Sequence, residues 1–289
     1  MSIKRKIFQF FLKNLPVNKF FDKLLSFIQF IYIHKRLPSQ KKYFNDVLYQ
    51  IKTSSVIDDP LRIFVTDKEY SKIFLKEIVD HKYIIENLLV TNDLEKLRKF
   101  SIKQNCIIKP THLAGKFMIK KKGDVITGEN LNEIEKNWFA TNQYFGHRER
   151  NYLNLKPKII IEPLLFDDDN IKDYKIFCNN GVAKAIQVDF NRSFDHSRSL
   201  YTLGWEKLDI SIAKIRSDNF KLEKPKNLSE MLYLAEKISK FFSFIRIDMY
   251  SQNNEIFIGE ITNIHGGACE KFLPNKFKSE KEFSKIIFE

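Results

Sequence analysis

The chain has 289 residues, enough for two domains or one large one, and its 43% hydrophobic and 29% charged content is that of an ordinary soluble globular protein rather than a disordered or fibrous one. Three cysteines, Cys106, Cys178 and Cys269, are far apart and odd in number, which argues against a disulfide framework or a zinc site and for a reducing, cytoplasmic compartment. The net charge of +13 is uneven: residues 1–45 hold ten Lys or Arg against Asp22 alone, so this end calls for a polyanion, and no nucleic-acid motif accompanies it.

Residues 3–33 alternate short apolar clusters with lysines, and Pro16 separates two predicted helices. The longest nearly uncharged run, residues 24–33, is half of what a membrane-spanning helix needs, and no small-residue cleavage site follows it. Two readings stand. The segment lies on an anionic membrane surface, at the inner face of the cytoplasmic membrane, or it packs on the body with its lysines outward. Helical spacing continues through Tyr43, Val47 and Ile51, breaks at Asp58-Asp59-Pro60, and resumes through Tyr70, Phe74 and Ile78 behind an acid, Asp67, at the helix start. A short apolar run at 83–90 leads to a helix at 94–100 capped by Asn92 or Asp93.

Residues 106–122 read as strand, loop, strand. Lys109 ends the first strand, and Gly115 beside Lys116 opens a small loop whose backbone amides could meet phosphate oxygens; a plain hairpin with snorkelling lysines is the alternative. A helix is expected over 131–145. The buried run 158–166 contains Glu162, a carboxylate that needs a base or an amino group as partner. Asp167-Asp168-Asp169 follows as an exposed loop. Strands are predicted at 173–177 and 182–190 about Asn179-Asn180-Gly181, with Lys175 and Asp173 on one face. A loop over 191–205 collects Arg192, His196, Arg198 and Tyr201, which suits clamping of an anion. Residues 227–242 form the clearest helix, with an apolar stripe through Leu228, Met231, Leu232, Ala235, Ile238 and Phe242.

The stretch 244–263 reads as a β-hairpin about a three-residue loop, Gln252-Asn253-Asn254, which sets Arg246 opposite Glu260. Ile245, Ile247, Met249, Phe257 and Ile261 then share a core face, and Arg246, Asp248, Glu260 and Thr262 the other. Two carboxylates this close call for a cation, and one or two carboxylates plus substrate phosphates suit Mg²⁺; Arg246 neutralising both acids is the competing reading. After the hairpin, His265-Gly266-Gly267-Ala268 exposes backbone amides, and His265 fits a hydrogen-bonding loop residue better than a metal ligand.

Asp67-Lys68, Ile107-Ile108-Lys109-Pro110, Glu162-Pro163-Leu164-Leu165, Asp173-Tyr174-Lys175, Arg246-Ile247-Asp248 and Gly259-Glu260-Ile261-Thr262, in this order, resemble the TupA-like (teichuronopeptide-biosynthesis) ATP-grasp proteins of bacterial surface-polysaccharide loci. The resemblance implies an α/β (α+β) fold in which two lobes clasp ATP. The expected divisions are a basic helical segment at 1–60, the N-terminal part of the fold at 61–104, a small lobe at 105–166 and a C-terminal lobe at 167–289. It also implies that Lys68 and Lys109 meet the phosphates under the 111–116 loop of Gly115 and Lys116, and that Glu162 and the backbone through Leu165 hold adenine. Asp173 joins the nucleotide site, Lys175, Arg192 and Arg246 act on the transferring phosphoryl group, and Asp248 and Glu260 hold Mg²⁺ with Thr262, or neighbouring Asn263, as third ligand. The 265–268 segment departs from the Pro-Gly-Ser-Gly type of the fold.

The implied chemistry is carboxylate activation as an acyl phosphate, then amide formation with an amine, the carboxylate belonging to a uronic acid of an acidic saccharide and the amine to an amino acid or small amine. The absence of a Cys/His or Ser/His/Asp arrangement agrees, since no covalent nucleophile is required. A glycosyltransferase using Asp167-Asp168-Asp169, or a non-catalytic glycan- or membrane-binding protein, are the rival classes.

Overall fold

A computed structural model describes residues 3–167, 171–190, 197–213 and 222–289. Helices α1 (Ile3–Asn14) and α2 (Lys19–His34) flank Pro16, and Asn18 caps α2 by accepting the Phe21 amide. Helices α3 (Phe44–Thr53), α4 (Pro60–Phe64) and α5 (Lys68–Ile78) follow, with Asp59 capping α4 and Asp67 capping α5. The small sheet comes next: β1 (Leu89–Thr91), helix α6 (Leu94–Arg98) capped by Asp93, then β2 (Cys106–Pro110) and β3 (Met118–Lys120). The helix expected over 131–145 is broken. It runs as α7 (Gly128–Glu133), a π-helical stretch (Ile134–Phe139) and α8 (Tyr144–His147), with Trp138 buried in the cluster behind the small sheet and Tyr144 buried against Asp22 of α2. Strand β4 (Ile159–Pro163) completes the small sheet, whose order is β1-β4-β2-β3.

The second sheet holds β5 (Asp173–Asn179), β6 (Val182–Phe190), β7 (Ser197–Tyr201), β9 (Phe244–Gln252) and β10 (Glu255–Thr262), antiparallel in the order β10-β9-β5-β6-β7. Part of the loop expected over 191–205 is therefore strand β7, held by pairing with β6. A two-stranded ribbon joins β8 (Ser211–Ile212) to β11 (Phe272–Leu273); helix α9 (Leu228–Ser239), shorter than the expected 227–242, and α10 (Phe277–Phe288) complete the fold. Leu234 rather than Leu232 is the buried member of the α9 stripe.

One face of the large sheet is apolar throughout. Tyr174, Ile176, Ile186, Val188, Ile245, Ile247 and Met249 pack there against α9 and α5. The other face is divided along the strands: Phe177, Ala185, Leu200 and Phe244 pack on Phe44 of α3 and Phe283 of α10, while the far half carries charges. A third cluster, including Ile108, Ile161 and Trp138, backs the small sheet.

The 244–263 hairpin departs from the expected register. Its turn has two residues, Asn253 and Asn254, both at positive φ, so Gln252 pairs with Glu255. A bulge at Gly259 then shifts the ladder, and Glu260 lies opposite Asp248 and Thr262 opposite Arg246. The bulge puts Ile258 and Ile261 on the same core face and frees Phe257 from it; Phe257 meets Phe166 instead. A side chain at Gly259 would approach the Tyr250 ring to 2.7 Å, which explains the glycine.

Candidate active site

The charged half of the large sheet forms one connected network. Lys175 of β5 lies between three carboxylates: it bonds Asp173, reaches Asp248 at 3.0 Å and approaches Asp189 at 3.9 Å. Arg246 grips Asp248 with two parallel hydrogen bonds, from Nε at 2.6 Å and Nη2 at 2.7 Å. Its Nη2 also donates to Thr262 Oγ1 at 3.0 Å, and its Nη1 meets His265 Nδ1. Arg198 takes Asp189 in the same forked way, at 2.7 and 3.1 Å. All these side chains except Thr262 are buried, so the pairing is what keeps the charges inside. Burial would raise the Asp248 carboxyl, but Arg246 and Lys175 outweigh it and hold the group below its usual range. Burial, with Arg246, Arg198 and Lys175 adding to it, drives the His265 imidazole well below its ordinary value; its Nε2 is buried with no hydrogen-bond partner among the described residues.

The second half of the site faces from the small sheet and α5. Glu162 on β4 receives Lys72 and Lys109, each at 2.5 Å. Lys72 also donates to the Ile85 carbonyl at 2.6 Å and to Asn87 Oδ1 at 2.5 Å. Burial pulls the Lys72 ammonium down to about 8, whereas the two lysines outweigh burial at Glu162 and keep its carboxyl low. The partner that Glu162 requires is thus a pair of bases. Asp67 receives Thr111 Oγ1 at 2.8 Å while Lys68 Nζ donates to the Leu113 carbonyl at 2.5 Å, tying the start of the 111–116 loop to α5. Gly115, at φ +70°, and Lys116 stand exposed in that loop, and Leu165 is half-buried just beyond β4.

Lys68 joins the halves. Burial lowers its ammonium, and the charges acting on it are Glu260 from the large sheet, then Lys109, Glu162 and Asp67. Glu260 is half-buried and has no hydrogen bond or ion pair among the described residues, so its carboxylate is available to a cation. No group of three or more His, Cys, Asp or Glu side chains able to hold a metal occurs among the described residues. Asp248 has both oxygens engaged by Arg246 and Lys175, and Glu260, opposite it on β10, is the carboxylate of the two that keeps oxygens for a cation. Asn263 is engaged elsewhere: its amide donates to the Arg62 carbonyl and to Thr66 Oγ1, each at 3.0 Å, and its oxygen accepts from Arg62. It is not a ligand in this arrangement.

A profile of the family described as TupA-like ATPgrasp matches residues 49–281. The chain belongs to the TupA-like ATP-grasp family. Among solved structures it is similar to the D-alanine-D-alanine ligase of Helicobacter pylori, at 16% identity and a TM-score of 0.41, over 78% of this chain and 60% of that one. It is similar also to the L-amino acid ligase of Bacillus licheniformis, at 12% identity and 0.44 over 78% and 50%, and to the ATP-grasp ligase PsnB with its minimal precursor, at 11% and 0.42 over 72% and 56%. The chain thus spans between half and three-fifths of the length of these proteins. No curated protein matches it in sequence.

Sequence reasoning missed Lys72, although it lies one turn after Lys68 on the same face of α5. It also missed the Asp189–Arg198 pair, which the pairing of β6 with β7 creates. Arg192, His196, Asp168 and Asp169 lie outside the described residues.

Proposed function

We propose that this ATP-grasp chain is an ATP-dependent carboxylate–amine ligase that activates the carboxylate of a uronic acid in an acidic surface polysaccharide and joins it to an amino acid or small amine. The observation that carries the reading is the convergence at Lys68: Lys72 of α5 and Lys109 of β2, which share Glu162, stand on one side, and the acid-bearing large sheet with Glu260 on the other. Lys68, Lys109 and the amides near Gly115 and Lys116 would hold the ATP phosphates, and Glu162 with the backbone to Leu165 would border adenine. Lys175 and Arg246 would face the transferring phosphoryl group, with Asp173 and Asp189 holding Lys175 in place. Asp248, Glu260 and the Thr262 hydroxyl would border Mg²⁺, which supplies charge neutralisation of the phosphates.

The charge logic supports this assignment. Phosphoryl transfer and acyl transfer both build negative charge on oxygens, and Lys175 and Arg246 already sit in a buried, oriented network where such charge is stabilised without rearrangement. The N-terminal helices add a place for the reaction. Their outward side exposes Phe20 and Tyr32, 69% and 52% accessible, beside exposed Lys19, Lys23 and Lys35, and this face suits an anionic membrane surface carrying a lipid-linked glycan.

Mg²⁺-dependent ATP binding, followed by thermal shift, tests the ligase reading without knowledge of the acceptor. Wild type should be stabilised by ATP only with Mg²⁺, and Asp248→Asn should bind at least about tenfold more weakly, since one charge-assisted contact is worth about 1.5–3 kcal/mol. Equal stabilisation of both proteins would remove Asp248 from the site, and none in wild type would remove the reaction.

A further inference from the structure

His265 is 3% exposed, and only one of its two ring nitrogens is satisfied. Its Nδ1 meets Nη1 of Arg246, a group that can only donate, so Nδ1 accepts and the ring proton sits on Nε2. Nε2 has no hydrogen-bond partner among the described residues. The ring packs edge-on against Phe177 of β5 and Phe44 of α3, with centroids 5.4 and 6.0 Å apart. A buried donor left unmet is costly. An all-carbon ring would fill the same aromatic space without that cost, so what distinguishes His265 is its Nδ1. The turn behind it is held in place: Gly266 and Gly267, at φ +54° and +64°, reverse the chain tightly. Lys52 Nζ of α3 then donates to the Gly267 carbonyl at 3.1 Å and His34 Nε2 of α2 to the Ala268 carbonyl at 3.0 Å.

A guanidinium carries five N–H donors. Four of those on Arg246 are spent among the described residues: Nε and one on Nη2 go to Asp248, the other on Nη2 to Thr262 Oγ1, and one on Nη1 to His265. Of these partners only Asp248 is charged. Thr262 and His265 orient the guanidinium without neutralising it further, and the fifth N–H, on the nitrogen that His265 holds, is left for an incoming oxygen. We propose that His265 is a positioning residue: as a neutral acceptor at Nη1 it fixes the Arg246 guanidinium so that its remaining N–H meets an oxygen of the transferring phosphoryl group. The inference rests on the ligase reading above, in which Arg246 faces that group. Asp248 is shared with Lys175, whereas the turn carrying His265 is anchored separately on α2 and α3, so the guanidinium gains a second point of reference. Burial, with the charges of Arg246, Arg198 and Lys175, agrees by holding the imidazole neutral.

The test is calorimetry on the full chain with Mg²⁺-ADP, alone and with aluminium fluoride, which stands in for the transferring phosphoryl group and needs no acceptor. Wild type should bind Mg²⁺-ADP more tightly when aluminium fluoride is present. His265→Phe, which keeps a ring and removes the acceptor, should lose at least about tenfold of that tightening, with its affinity for Mg²⁺-ADP alone within about twofold of wild type. His265→Asn places Oδ1 as many bonds from the backbone as Nδ1 and should restore the fluoride effect to within about threefold of wild type. Should His265→Phe fail to fold, His265→Gln, whose oxygen lies one bond farther out, must show the loss. An undiminished fluoride effect in the folded Phe or Gln variant, or a loss in His265→Asn as deep as theirs, overturns the positioning role and leaves the ligase reading standing. Equal weakening of Mg²⁺-ADP with and without fluoride overturns it too, since that is what a merely structural role predicts. Wild type that gains nothing from fluoride overturns the phosphoryl reading, and this role with it.

Discussion

Glu162 shows how one side chain sets the electrostatics of two neighbouring lysines. It satisfies two lysines in an apolar sheet, so Glu162→Gln would leave Lys72 and Lys109 facing each other without a counter-charge. Breaking a buried ion pair by removing one partner costs about 3–5 kcal/mol, and the partial exposure of Lys109 places this case at about 3. Urea unfolding of the nucleotide-free protein measures it, and a loss under about 0.5 kcal/mol would contradict the arrangement. The pH dependence has a definite sign. The folded Glu162 carboxyl lies below its ordinary value of 4.5, so the triad contributes fully above about pH 4.5 and loses its contribution as pH falls through the folded value. Lys72 acts at the other end: its ammonium is held at a cost below about pH 8, and that cost is relieved as pH rises from there toward the ordinary 10.5.

The β9–β10 hairpin was readable as an element but not in register. Alternating apolar residues and the polar stretch Gln252-Asn253-Asn254 marked two strands and a turn, and they placed Asp248 and Glu260 on one face. They did not reveal that Gly259 adds a residue to one strand, since a bulge is chosen by the packing of both faces and by the close approach of Tyr250. Gly259→Ala forces the Tyr250 ring to move, and overpacking of this kind costs about 1–3 kcal/mol. Denaturant midpoints should fall accordingly, with weaker Mg²⁺-ATP binding because Glu260 is the next residue. A variant of wild-type stability would show that the ring yields freely. Strand β7 was hidden for a related reason: its residues pair only because β6 offers an edge, and the same chain segment read alone has the composition of a loop.

Across the whole molecule, the basic amino-terminal segment is attached and exposed at once. Arg148, fully buried, donates to the carbonyls of Leu12, Leu15 and Pro16 and to Asp22, while Arg150 joins Asp22 to Asp58. This docking settles how α2 is turned. Leu25 and Phe30 face inward, and Phe20, Leu24, Phe27, Ile28 and Tyr32 face outward. Among the described residues no helix is long and apolar enough to cross a membrane, so any lipid contact of these helices is with the surface. Co-sedimentation with vesicles containing phosphatidylglycerol should succeed and neutral phosphatidylcholine vesicles should fail, with binding falling as salt screens the lysines. The double substitution Phe20→Ser with Phe27→Ser should cut retention at least about fivefold without changing the melting temperature. Equal retention on both lipids would dismiss the membrane face.

By itself the sequence determined the mixed α/β class, the helices α2, α5 and α9, the β5–β6 and β9–β10 pairs, and the ordered motifs that mark the ATP-grasp family, because these rest on local periodicity, caps and turns. Only the tertiary structure decided that Glu162 answers to Lys72 and Lys109 and that Asn263 braces Arg62. Each of those pairings joins residues from different elements, and a charge in a chain carries no sign of which distant charge folding will bring against it.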